Sequence, residues 1–550
     1  MFDWLFENDR VSHRLALGLL AVTAGITLYS VTNRSSTASK HDKIAPNGRA
    51  IKQLAYLPSK IPLIGNTLEL VRNMDRFLDW MEDTLVPLDG EPVLLRVMGQ
   101  NDHAIFTKPE HYEEILKTQA DNFDKEGNAK EAFLDMVKEA IIFLDGDRWK
   151  FHRRVFVRLF STRALREYMA PIIQRQTLVM QKVLTQAASS KTPIDAHKLM
   201  LRLTLDSFTE IGFGYKLGCM TSKDELPFEK AIGEALHISS DRVKMPSSVW
   251  KLKRFLNVGD ERRLREAVRV IDEFTLGIIS DAIERRRQRS EAEANGKTVQ
   301  AVRKDIVSII LDGMVTDGES VDSAVVRDIS VAALIAGGGT TGDASSWLLH
   351  VLSHHPDVEQ KLRAELLSKL PKLGTDMQFV PSVQDLQDLT YLEATIYELM
   401  RLFPPGPVVP THCQHDTILS DGTFLAAGTD VSLAVYATGR LPSVWGPDAA
   451  LFKPERFIDP ETGALISFSS TKLPVFSAGP RACPGQQLAI MQLKTVLSCL
   501  LSRFHLQELP GQEVTSLHGV GIGMKNPLLM RVEPVAQPFG ADATSSAPVA

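Results

Sequence analysis

Apolar residues recur at helical spacing in several stretches of the chain, and some of these carry their own start and stop signals. The longest runs about thirty residues from Asp322 to His355, where Pro356 ends it. A second, Asp145 to Arg166 (DGDRWKFHRRVFVRLFSTRALR), opens on an acidic turn and continues with apolar residues on one face. Tyr391 to Pro405 and the leucine-rich Gln486 to Leu501 predict two more helices. Strand-like patterning is sparse; PVLLRVMG and HAIF, between Pro92 and Phe106, suit a short hairpin. Residues 284–299 (ERRRQRSEAEANGKTV) predict a charged, solvated break between helices.

One apolar run has a different character. Leu15 to Thr32 is 18 residues without charge, near the lower limit for a membrane span. No small-residue cleavage site follows it, and Asp3, Glu7 and Asp9 ahead of it disfavour a mitochondrial presequence. Arg10 and Arg14 precede it with those acids, whereas Arg34, Lys40, Lys43, Arg49, Lys52 and Lys60 follow it against Asp42 alone. The positive-inside rule then puts the rest of the chain in the cytosol. The expected organisation is a lumenal N-terminus (1–14), a single-pass anchor in the endoplasmic reticulum membrane (15–33), a polar linker (34–56), a folded domain (57–534) and a disordered tail (535–550). Leu57 to Asn66 (LPSKIPLIGN), punctuated by Pro and Gly, marks the entry to that domain.

Composition narrows the chemistry. The chain has 550 residues, 44% hydrophobic, with net charge −5, so nothing points to nucleic acid as a partner. Its four cysteines, Cys219, Cys413, Cys483 and Cys499, lack metal or disulfide spacing. Cys499, inside the leucine-rich helix, reads as core. Cys483 stands apart, in F-S-A-G-P-R-A-C-P-G (Phe476 to Gly485), directly before an apolar helix. A thiolate there meets free N–H groups and the positive end of the helix dipole. Gly479 and Gly485 leave room for a flat group, and Arg481 is placed to reach an acid on it. One axial thiolate without a second ligand suits a haem iron; taken alone, the cysteine would read as a buried free thiol.

Phe476, Gly479, Arg481, Cys483 and Gly485 together resemble the haem-binding loop of the cytochrome P450 family. Further stretches match that family in its order. Trp149 and Arg153 resemble its W-x-x-x-R pair, which contacts the haem propionates. A-G-G-G-T-T (Ala336 to Thr341) resembles its oxygen-handling helix, with Thr340 at the threonine that relays protons and Thr341 beside it as a second candidate catalytic residue. The usual acid of that helix falls on Gly339; water or Asp343 could substitute. Glu398 and Arg401 form E-x-x-R, and with Arg456 of F-K-P-E-R-F they resemble the family's buried charge triad, a structural rather than chemical element. His412 falls at a further propionate contact, with a surface-loop histidine as the equal alternative.

The resemblance implies a mainly α fold, one large helical domain with small β-sheets, behind an N-terminal transmembrane helix. It implies haem b as cofactor and NADPH as electron source through NADPH–cytochrome P450 reductase, with cytochrome b5 as a second donor. Arg148, Lys150, Arg154, Arg158 and Arg163 offer a basic docking face for that reductase, or simply a solvated one. N-F-D (Asn122 to Asp124), D-G-T-F-L-A-A-G (Asp421 to Gly428), G-R-L-P-S-V-W-G (Gly439 to Gly446) and M-K-N (Met524 to Asn526) resemble the fatty-acid terminal-hydroxylase branches of plants and fungi. The expected activity is insertion of one oxygen atom from O2 into an unactivated C–H bond of a hydrophobic substrate, a fatty acid first. Alternatives are a haem-thiolate isomerase or dehydratase of lipid hydroperoxides, a monooxygenase of alkanes, sterols or terpenoids, and a non-enzymatic haem or lipid carrier.

Overall fold

The computed structural model describes residues 51–535, apart from 296–304, 317–321 and isolated positions. The expected anchor, nearly all of the linker, and the tail beyond Val535 lie outside the described residues. Among the described residues, no helix is long and apolar enough to cross a membrane. The fold is mainly helical with small sheets, as the resemblance implies.

Eight helices position the site: α1 (Gly146–Leu159), α2 (Ala170–Ser190), α3 (Ala196–Phe213), α4 (Asp260–Ala294), α5 (Ser323–His354), α6 (Pro356–Lys369), α7 (Thr390–Leu402) and α8 (Gln486–Arg503). The long predicted helix is α5. The Asp322 carboxylate caps it by accepting from the Ala324 N–H at 2.8 Å, and Pro356 opens α6 directly after it. Residues 284–294 prove helical. Arg287 spans Glu284 at 2.8 Å and Glu291 at 3.3 Å, i,i+3 and i,i+4 pairs that let a charged sequence stay helical in water.

The core is built on α5 and α8. Helix α3 packs along α5, α8 packs on α2, α5, α6 and α7, and α4 lies against α5. Helix α8 is buried from Met491 to Arg503 on every face, polar residues included. Its two buried cations are partnered: Lys494 meets Glu393 at 2.8 Å, and Arg503 donates to Gln181 Oε1 at 2.6 Å and to the Asp376 and Phe379 carbonyls at 2.7 Å. Cys499 lies in this core with no accessible surface, as expected.

Strands β1 (Ala55–Tyr56), β2 (Val93–Leu95), β3 (His103–Phe106), β4 (Phe123–Asp124), β5 (Ile194–Asp195), β6 (Val409–Cys413), β7 (Thr417–Ile418), β8 (Phe424–Leu425), β9 (Asp430–Leu433), β10 (Phe504–Glu508), β11 (Ser516–His518), β12 (Ile522–Met524) and β13 (Leu529–Pro534) form small sheets. The largest has the order β1-β2-β3-β9-β6-β4. Its β2–β3 pair is the predicted hairpin. Ala55 and Tyr56 pair with Val93 and Leu94, so the folded domain starts inside the stretch expected to be linker.

Candidate active site

The cysteine loop gets its shape from backbone constraints. Ser477 has φ 57° and Gly479 φ 66°, and the Cys483 N–H closes the loop on the Phe476 carbonyl at 2.8 Å. A left-handed serine stores roughly 1–3 kcal/mol of strain, a cost typical of sites that must hold a shape. At Gly479 a Cβ would lie 2.0 Å from the Leu116 carbonyl oxygen. Its missing side chain makes room for the protein's own backbone, not for a flat ligand as the sequence suggests. A Cβ on Gly485 would sit 3.8 Å from Cys483 Sγ, ordinary contact.

Cys483 is exposed on one side, yet protein closes around the sulfur elsewhere. That burial pushes its thiol up, while the Gly485 N–H, the Arg153 charge and the Gln486 N–H pull it down. A metal ion on the sulfur would tip this balance, because a coordinating thiol is deprotonated outright.

Helix α1 supplies the flank. Arg153 Nη1 donates to the Ala482 carbonyl at 2.6 Å, and the Arg481 guanidinium lies 4.8 Å over the Trp149 ring. Arg481 also donates to the Leu144 carbonyl at 2.9 Å and pairs with Asp145, the N-cap of α1. The arginine expected to reach a ligand's acid is therefore already oriented by a protein carboxylate. His412 is held likewise, its Nδ1 2.9 Å from Asp430 Oδ1.

Sequence reading missed Lys125. Its N–H donates to Asp145 Oδ2 at 3.1 Å and its ammonium to the Pro410 carbonyl. Burial first, then the Arg481 charge, lower its pKa to about 8. The only signal was its position after Asp124, which pairs with His412 across β4 and β6.

Helix α5 presents a different surface. Its face against α3 is tight: a Cβ on Gly337 would lie 1.9 Å from the Phe208 ring, and one on Gly342 3.0 Å from Leu201 and Thr204. Ala336 is exposed and Thr340 half-buried, in a helix otherwise buried over most of its length. Thr340 Oγ1 donates to the Ala336 carbonyl at 2.7 Å. Thr341 is only 3% exposed, which leaves Thr340 alone of the pair able to touch a substrate. Helix α5 runs through the three glycines unbroken. Gly337 is explained by packing, whereas a Cβ on Gly339 meets nothing within 4 Å. Asp343 is 3.0 Å from His197 Nε2 on α3; burial raises its pKa and His197 opposes the rise.

Within the charge constellation, the Glu398–Arg401 pair is fully enclosed. Arg401 Nε and Nη2 each meet a Glu398 oxygen at 2.7 Å, with no side-chain exposure on either residue. Arg456 Nε stands 3.6 Å from Glu398. Arg401 also donates to the Gly439 and Ala449 carbonyls, and a Cβ on Gly439 would lie 2.0 Å from its carbonyl oxygen. The Gly439 to Gly446 stretch thus wraps this arginine.

Cys483, the exposed one of the four cysteines, stands at the N-terminus of α8 with Arg153, Arg481 and Lys125 on one flank, a donor set that suits a thiolate-ligated metal group. The chain belongs to the cytochrome P450 family, whose profile matches residues 56–530, and is a monooxygenase-family enzyme. It is 32% identical over 458 residues to cytochrome P450 94A2 of Vicia sativa, covering 82% of this chain and 85% of that one. Cytochrome P450 94B1 of Arabidopsis thaliana is 33% identical over 457 residues, covering 82% and 86%. Cytochrome P450 86B1 of the same plant is 29% identical over 467 residues, covering 82% and 81%. The family's haem iron fits the residues present, since Cys483 is a lone sulfur donor flanked by N–H groups.

Proposed function

We propose that the chain hydroxylates fatty acids at or near the chain end, drawing electrons from NADPH through a separate cytochrome P450 reductase, with cytochrome b5 as a second donor. The reading includes anchoring of residues 15–33 in the endoplasmic reticulum membrane, with the catalytic domain in the cytosol. What carries it is the agreement between the four branch-like stretches and relatives of the 94A and 94B groups at 32–33% identity. Exposed Arg148, Lys150, Arg154, Arg158 and Arg163 on and beside α1 offer the basic face a reductase would meet.

When bound, haem supplies the oxygen activation and C–H oxidation. The chain's residues do the remaining work. Cys483 would hold the haem iron through its thiolate, steadied by the Gly485 and Gln486 N–H groups. Arg153 fixes the loop through Ala482, while Arg481, Trp149 and Lys125 are the residues that would meet carboxylates at the cofactor's edge, with His412 beside them. Thr340 holds a proton on Oγ1, donated to Ala336 at rest. Gly339 leaves open space beside it, so water can deliver the proton that an acid would otherwise carry. Terminal C–H bonds are the stronger ones, so selectivity at the chain end must be steric.

Product analysis tests this: full-length protein in membranes with reductase, NADPH and a panel of fatty acids. Terminally hydroxylated acids are expected. Gly339 favours one second reading, a haem-thiolate isomerase or dehydratase. NADPH-independent turnover of lipid hydroperoxides, with no fatty-acid product, would replace the first reading with that one.

A further inference from the structure

The C-terminal turn of α5 carries a cluster that the oxygen-handling segment does not use. His350 and His354, four residues apart, share a helix face, and Glu508 ends β10 opposite them. One ligand atom from each lies within 4.8 Å of the other two. His350 Nδ1 is 2.7 Å from Glu508 Oε2, and the two imidazole rings cross at 4.9 Å between centroids.

The surroundings prepare these groups. His354 Nδ1 is 2.9 Å from the His350 carbonyl. A carbonyl only accepts, so Nδ1 carries the hydrogen and Nε2 keeps a free lone pair, a device typical of metal-binding histidines. Ser353 Oγ donates to the same carbonyl at 2.7 Å and reaches Glu508 Oε2 at 3.4 Å. His350 is backed by the Trp347 ring edge at 5.7 Å, and Trp347 is fixed by donating to the Ile522 carbonyl at 2.7 Å. His354 is exposed, which gives an entry path. The negative end of the helix dipole further favours a cation here.

We propose that His350, His354 and Glu508 form a Zn2+ site that clamps the end of α5 to β10. Two imidazoles and a carboxylate suit this borderline-soft ion rather than Mg2+ or Ca2+. Ligand atoms around tetrahedral zinc stand roughly 3.3 Å apart, with bonds of about 2.0–2.2 Å. The ion would enter where His350 and Glu508 now share a hydrogen, and rotation of exposed His354 would complete the third bond. The clamp holds the far end of the helix whose middle carries Thr340.

Calorimetric titration of the full-length holoenzyme with Zn2+, after chelator dialysis, tests the site. Wild type should bind one equivalent that excess Mg2+ does not displace. His354→Ala and Glu508→Gln should each weaken binding at least ~10-fold, whereas His237→Ala, an exposed histidine elsewhere, should change nothing. Zn2+ should raise the melting temperature of wild type and not of His354→Ala. Absence of stoichiometric binding, or equal binding in His354→Ala, would overturn the proposal. If Glu508→Gln does not fold, the exposed His354 still decides.

Discussion

Two of the arginine–carboxylate constellations in this molecule behave oppositely. Arg401 and Glu398 have no exposed side-chain surface, and Arg401 spends its guanidinium on Glu398 and on the Gly439, Ala449 and Leu451 carbonyls. Arg481 pairs with Asp145 while both keep about a quarter of their side chains exposed, 24% and 28%. It also stacks on Trp149 beside Lys125 and the thiol loop. The first arrangement is saturated and can only hold the fold. The second is oriented but accessible, so it can still meet a ligand. Burial, not residue type, separates an arginine that can only hold the fold from one that can still meet a ligand.

The sharpest break of this comparison is Arg401→Met. It strands a buried Glu398 carboxylate, worth about 3–5 kcal/mol, and should leave no folded, haem-retaining protein. Recovery of soluble material with normal melting would contradict the saturated knot.

The glycines of α5 sharpen the contrast between packed and open surface. Gly337→Ala forces a methyl against Phe208 and should lower stability by about 1–3 kcal/mol. Gly339→Ala should raise it by up to ~1 kcal/mol, because no clash offsets the gain in helix propensity. Thermal melts of the two variants should therefore move in opposite directions.

Thr340→Ala should leave stability nearly unchanged while diverting electrons into peroxide, measured as product formed per NADPH consumed. Unchanged coupling would remove Thr340 from proton delivery. Gly339→Asp, whose Cβ would meet nothing within 4 Å, should improve coupling if proton supply limits turnover.

A pH-dependent effect concerns His152, buried on α1 and pushed down to about 4 by burial and then by Arg148. The folded pKa lies below the unfolded value of about 6.5, so the native state binds fewer protons there. Stability is thus full above pH 6.5 and is lost as pH falls towards 4. The loss should reach ~2 kcal/mol at pH 5, and His152→Gln should flatten that part of the melting profile.

Much of this was legible in the sequence, for reasons that differ by element. Helix α5 was bounded by a capping Asp322 and a stopping Pro356, both local signals, and the glutamate–arginine pair needed only helical spacing. Residues 284–294 were misjudged because surface ion pairs can keep a charged stretch helical without any apolar face. Gly479 was read as space for a ligand, whereas a carbonyl from a segment more than 300 residues earlier fills it. The partners of Arg481 and His412, and the whole case for Lys125, depend on how distant segments meet, which no local pattern records. Thr341 looked equivalent to Thr340 because the burial of the one and not the other cannot be seen in A-G-G-G-T-T.

The claim on which the rest depends is that Cys483 is the axial ligand of a haem. Absorption of the reduced, carbon monoxide-bound protein reads that bond directly. Wild type should show the thiolate signature, and Cys483→Ser should lose it together with all product while the fold stays intact. A Cys483→Ser protein that keeps the thiolate signature would contradict the account.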